Sequence, residues 1–138
     1  MSFSADIEQF VLKSEKRLEG VIKESIKNVV NTTQIEVKNG GKMRDRKTNF
    51  LRASARASTE GFPSGPDIRP KDAQLNSFTY DGEAVIAVIN DMKLGDTFYF
   101  GWTANYAAIR ESHDGFLETA VQNWQQFVNT NSERFRGK

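Results

Sequence analysis

A chain of 138 residues suits a single domain, and 38% hydrophobic residues with ten Phe, two Trp and three Tyr exclude a wholly disordered polymer. The absence of cysteine excludes disulfides, thiol catalysis and cysteine-bound metal. A net charge of +1 excludes binding through bulk positive charge, and no apolar run approaches the roughly 20 residues of a membrane span. Charges interrupt the apolar pattern of the first 30 residues, unlike a signal peptide, so the chain reads as soluble and cytosolic.

Residues 4–30 are predicted to form a long amphipathic helix. Ser4 is the expected N-cap, with Asp6 and Glu8 in the first turn. Ile7, Phe10, Val11, Leu18, Val21, Ile22, Ile26 and Val29 recur at spacings of three and four, and Glu and Lys fill the opposite face. Gly20 weakens the middle, and the β-branched and capping residues of Val29-Val30-Asn31-Thr32-Thr33 oppose continuation. After the break at Asn39-Gly40-Gly41, residues 50–58 alternate Leu51, Ala53, Ala55 and Ala57 against Arg52, Ser54, Arg56 and Ser58. Period two predicts a strand with a cationic outer face, although the alanines also suit a helix.

Residues 59–74 hold all three prolines and read as a long flexible loop. Residues 75–80 suit a strand with Asp81-Gly82 as its hairpin turn, and the apolar run Ala84–Ile89 suits a central strand. In a further strand Phe98, Phe100 and Trp102 share one face and Tyr99 takes the other. A last helix over 114–131 carries Phe116, Leu117, Ala120, Val121, Trp124, Phe127 and Val128 as its apolar stripe, with Asp114 as N-cap. The predicted fold is α+β. It has a long N-terminal helix, an antiparallel sheet of about four strands with a long loop, and a C-terminal helix, the helices covering one sheet face.

Little in this chain points to catalysis. Ser112-His113-Asp114 has the residue types of a triad, but consecutive side chains diverge and no nucleophile elbow is present. Glu111, Asp114 and Glu118 lack the spacing of a cation loop, and no phosphate-binding glycine motif is found. The notable charge feature is a basic band over 42–56, with Lys42, Arg44, Arg46, Lys47, Arg52 and Arg56 against Asp45 alone. Such a band serves as a solvated surface, as a contact to a passing polyanion such as DNA, or as a contact to an acidic patch on a neighbouring copy.

Two short segments carry a resemblance. Arg46-Lys47-Thr48-Asn49-Phe50-Leu51-Arg52-Ala53-Ser54 resembles the Asp-Thr-Gly-x-Leu-Arg-x-Ser signature of the tail-completion and minor tail proteins of long-tailed bacteriophages. Lys47 stands where that signature has an acid, and Asn49 where it has Gly. Tyr106-Ala107-Ala108-Ile109-Arg110-Glu111 is similar to the family's Tyr-Ala-x-x-x-Glu element and is followed by Gly115-Phe116-Leu117 and the C-terminal helix, the Gly that the family has soon after the Glu being displaced to Gly115 by Ser112-His113-Asp114. The resemblance spans the order of elements over nearly the whole chain, 1–138, as one tail-completion-like domain. It implies a structural virion protein of the neck, made in the host cytoplasm, that joins tail to head as a completion or terminator subunit. Its implied partners are further copies in a homo-oligomeric ring (a hexamer being one such ring), the head connector, tail-tube proteins, and DNA in the channel. It implies no enzyme activity, no cofactor, no metal and no membrane. The alternative from the residues themselves is a small nucleic-acid-binding module using 42–56.

Overall fold

A computed structural model describes residues 3–44, 48–74 and 77–136, with side chains from residue 15 onward. Helix α1, Phe3–Thr33, is about 46 Å long at 1.5 Å per residue. It is already helical at Phe3, so Ser4 lies within it and is not its cap. It also outlasts the expected end. Thr32 Oγ1 donates to Asn28 O (2.7 Å) and Thr33 Oγ1 to Val30 O (2.6 Å), so hydroxyls at the end of the helix bond the preceding turn while their β-branches are accommodated. The Glu19–Lys23 pair, at 2.8 Å, is half-buried and not on a solvated face, and Lys23 Nζ also donates to Asn90 O at 2.8 Å.

Gly20 has a packing reason. A Cβ there would stand 2.7 Å from Cε1 of Phe135, so the glycine lets the end of the last helix close onto α1. Asn131 fastens the same pair of helices: its buried amide donates to Ser25 Oγ (3.1 Å) and Asn28 Oδ1 (2.9 Å).

A 3-10 turn at Val37–Asn39 follows α1, and the chain reverses through Gly40 to bring Met43 back beside Glu36. Residues 45–47 lie outside the described set. The predicted strand at 50–58 divides. Phe50–Ala53 forms a short helix, α2, and only Ala55–Ser58 extends, as β1. Asn49, at φ 63°, turns the backbone into α2, and Ser54 N–H bonds back to Phe50 O (3.0 Å).

The sheet is smaller than expected. Among the described residues it has two antiparallel strands, β1 and β2 (Tyr99–Trp102), paired Ala55 to Trp102 through Ser58 to Tyr99. The run Ala84–Ile89 is not a central strand. It lies in helix α3, Gly82–Asp91, whose start is capped by the Asp81 carboxylate accepting from Ala84 N–H at 3.0 Å. Asp81-Gly82 is therefore a helix start and not a hairpin turn. Val85 and Ile89, four apart, are the buried positions, and they pack on Val30 of α1. Residues 77–80 form no strand, and 75–76 lie outside the described set.

The expected face alternation in β2 holds. Phe98 stacks near Phe100 (6.3 Å), Phe100 meets Trp102 edge-on (5.0 Å), and Trp102 meets Phe116 edge-on (4.7 Å). Tyr99 turns to the other face, against Phe62 of the proline-bearing loop. That loop has neither helix nor strand over 59–74, but it is tied to the end of β2: Asp67 N–H donates to Thr103 O, and Asp67 O accepts from Asn105 N–H.

The single predicted C-terminal helix is three: α4 (Ala107–Asp114), α5 (Phe116–Gln122) and α6 (Trp124–Phe135). Gly115, at φ 67°, and Asn123 separate them. Asp114 ends α4, paired with Arg110 at 2.6 Å, and caps nothing. The first turn of α5 is capped by Glu111, whose two carboxylate oxygens accept from Leu117 N–H (2.8 Å) and Glu118 N–H (2.9 Å).

Candidate functional site

The two motif segments are more than 50 residues apart in sequence and meet in one place. Leu51 and Phe116 are buried together with Met43 and Ala104, and Phe50, Trp102, Tyr106, Ala107 and Leu117 pack around them. The rings of Phe50 and Tyr106 lie 6.3 Å apart. Each motif residue has a local task. Thr48 Oγ1 accepts from Phe50 N–H (3.3 Å), and Asn49 both supplies the left-handed turn and donates from its amide to Phe78 O (3.1 Å). Ser54 Oγ donates to Leu51 O (2.7 Å), and Ser54 O accepts from Thr103 N–H (3.1 Å), which joins the end of α2 to the end of β2.

The expected cationic strand face does not form as read. Arg52 sits in α2 and its Nε donates to Gln34 O (2.9 Å), while Gln34 Nε2 donates to Arg52 O (2.9 Å). The Arg52 guanidinium lies 5.2 Å from the centre of the Tyr80 ring. Burial pushes the Tyr80 phenol above its usual pKa of 10.0, and Arg52 and a hydrogen bond with Gln34 partly oppose this. Arg56 does project from β1, but its Nη1 donates to Ala53 O (2.6 Å) and Ala55 O (2.8 Å). Lys42 is exposed, and Arg46 and Lys47 lie outside the described residues. Among the described residues, the band's Arg52 and Arg56 thus belong to different elements, α2 and β1.

Gln34, 3% exposed, was not anticipated from the sequence. Besides its exchange with Arg52 it accepts from Trp102 Nε1–H at 3.1 Å, so one side chain links α1, α2 and β2. A lone glutamine after a helix carries no periodic or motif signal. Arg69 and Arg110 fall outside the basic band of 42–56. With Arg44, Asn49, Phe50, Leu51 and Tyr106 they line a cleft of about 290 Å³ directly beside the motif core. Arg110 is engaged by Asp114 through both Nε and Nη2.

The residues once grouped around His113 do separate things. Ser112 Oγ donates to Ile109 O, His113 is exposed, and Asp114 holds Arg110. Glu111 is occupied with the start of α5. Among the described residues no three His, Asp or Glu side chains are grouped to hold a metal, and no helix is long and apolar enough to cross a membrane. Comparisons with protein-family models, with curated proteins and with solved structures find no match to this chain.

Proposed function

We propose that this chain is a structural subunit of the neck of a long-tailed bacteriophage, a tail-completion or tail-terminator protein that forms a ring between head and tail. The observation that carries the reading is the convergence of the two motif segments. Residues 48–54 and 106–116 build one core, and its turns are made at the motif positions. Asn49 adopts the left-handed conformation where the family signature has Gly, and it is among the residue types that tolerate it best. Glu111 caps the helix that follows the Tyr-Ala-x-x-x-Glu element, and Gly115 makes the bend between them. In this reading the motif residues hold turns and helix ends.

The alternative reading is a nucleic-acid-binding module, in which Arg52 and Arg56 would act through their charge and the donors left over, since only Arg52 Nε and Arg56 Nη1 are engaged by backbone carbonyls. The two readings separate in one experiment. Sedimentation velocity over a wide concentration range, with electron microscopy of the heaviest fraction, is expected to show closed rings with a central channel. A chain that remains monomeric at every concentration, and binds duplex DNA with steep salt dependence, overturns the neck assignment in favour of the module.

A further inference from the structure

Among the described residues, the arginine-lined cleft has an unbalanced charge. Three arginines line it from three segments: Arg44 just after the Met43 reversal, Arg69 from the proline-bearing loop, and Arg110 from α4. One carboxylate, Asp114, answers Arg110. Arg44 and Arg69 form no ion pair or hydrogen bond among the described residues, although Arg44 is half-buried. Like charges lining one concavity with Phe50 and Leu51 repel one another, and apolar neighbours strengthen the field that each feels. An anion entering the cleft relieves that repulsion, and the planar forks of Arg44 and Arg69 suit a carboxylate. A cleft of this size admits protruding side chains, whereas a phosphate backbone runs along a ridge or groove.

The same chain carries a complementary surface. Between residues 81 and 96, Asp81, Glu83, Asp91 and Asp96 are exposed, with Lys93 as the single base. Asp81 and Asp96 each accept a local backbone N–H, while Glu83 and Asp91 have no partner among the described residues. Neither lines the arginine cleft. A cationic socket and an acidic edge on different elements make a heterologous pair, the kind of contact that propagates head to tail and closes into a ring.

We infer that the cleft of Arg44, Arg69 and Arg110 is the socket that receives the acidic α3 edge, Glu83 and Asp91, of the next copy of this chain. The inference rests on the ring reading and names the contact that builds the ring. Its test is a charge swap followed by sedimentation velocity at low and high salt. The variants are Arg44→Glu with Arg69→Glu, Glu83→Lys with Asp91→Lys, and all four together. A milder pair, Arg44→Gln with Arg69→Gln, guards against misfolding, and urea unfolding checks each variant. Each two-residue reversal is expected to weaken association by about tenfold or more, because like charges then face each other. The four-residue variant is expected to regain most of it, since the reversed socket meets a reversed edge. Rings that form equally well with the cleft reversed, or a four-residue variant that stays dissociated, overturn the socket while leaving the ring assignment standing. Rings that persist while binding of a duplex DNA probe is lost make the cleft a phosphate site and overturn it as well. A wild-type chain that never associates overturns the ring assignment itself.

Discussion

Two apolar clusters among the described residues are built in different ways. The first, around Phe116, draws Met43, Leu51 and Ala104 from segments widely spaced along the chain, and polar side chains hold its edges in place. Asn49, Ser54, Gln34 and Glu111 each bond backbone atoms beside it. The second, Val30 with Val85 and Ile89, is aliphatic packing between two helices beneath the sheet, with the half-buried Tyr80, Phe98 and Phe100 at its margin. The lesson is that specific turns and caps are needed where many short segments must meet. Two helices need only a matching stripe, because the helix backbone already satisfies its own hydrogen bonds.

Deleting the centre of the first cluster should have the largest effect. Phe116 is 1% exposed, and Phe116→Ala is expected to destabilise the fold by about 3–5 kcal/mol in urea unfolding. Ile89→Ala, at the centre of the second, should cost about 2–5 kcal/mol, and Ile89→Val only about 0.5–1.5 kcal/mol. If the second cluster is the simpler packing described here, its losses should track the volume removed, while losses around Phe116 should exceed what volume alone explains.

Trp124 sharpens the contrast from outside both clusters. It was expected in the core with Phe116, on one continuous stripe, yet it is 37% exposed, on the lip of an apolar cleft shared with Phe62, Phe98 and Val121. Trp124→Ala should therefore cost roughly 1–2 kcal/mol, well below the 3–5 kcal/mol of a fully buried aromatic. Glu111→Gln tests the polar edging of the first cluster. It keeps one acceptor and loses the charge at the start of α5, so about 1 kcal/mol is expected, with no change at the second cluster.

The smallest effect is confined to the second cluster and to alkaline pH. The Tyr80 phenol is raised by burial, so the folded state keeps its proton to higher pH than the unfolded chain does. This contribution is fully present below about pH 10 and is lost as pH rises through the folded-state value. Unfolding midpoints measured across that window should fall for the wild type and fall less for Tyr80→Phe. An equal fall in both would place the alkaline sensitivity elsewhere.

The long first helix, the turn at 39–41, the face alternation of Phe98, Tyr99, Phe100 and Trp102, and the absence of strand or helix over 59–74 were all legible in the residues. Among the expectations that failed, three did so for reasons visible in particular residues. Ala84–Ile89 is apolar on every side, so its pattern has no period to distinguish strand from helix, and the Asp81 cap decided for helix. The alternation across 50–58 broke because Asn49 sets a left-handed turn that commits four residues to α2. The C-terminal stripe was real in composition but was cut at Gly115 and Asn123, so Phe116 and Trp124 lie on different helices.

By itself the sequence determined where charge and apolar residues fall, where the backbone must turn, and which short motifs the chain carries. Those properties depend on residue type and on neighbours within a few positions. The tertiary structure alone decided that Gln34 links three elements, that Arg52 and Arg56 serve the backbone, and that Arg44, Arg69 and Arg110 share one cleft. Each depends on segments distant along the chain being brought together by burial, and hydrophobic burial is non-directional, so residue spacing does not encode which distant side chains it will join.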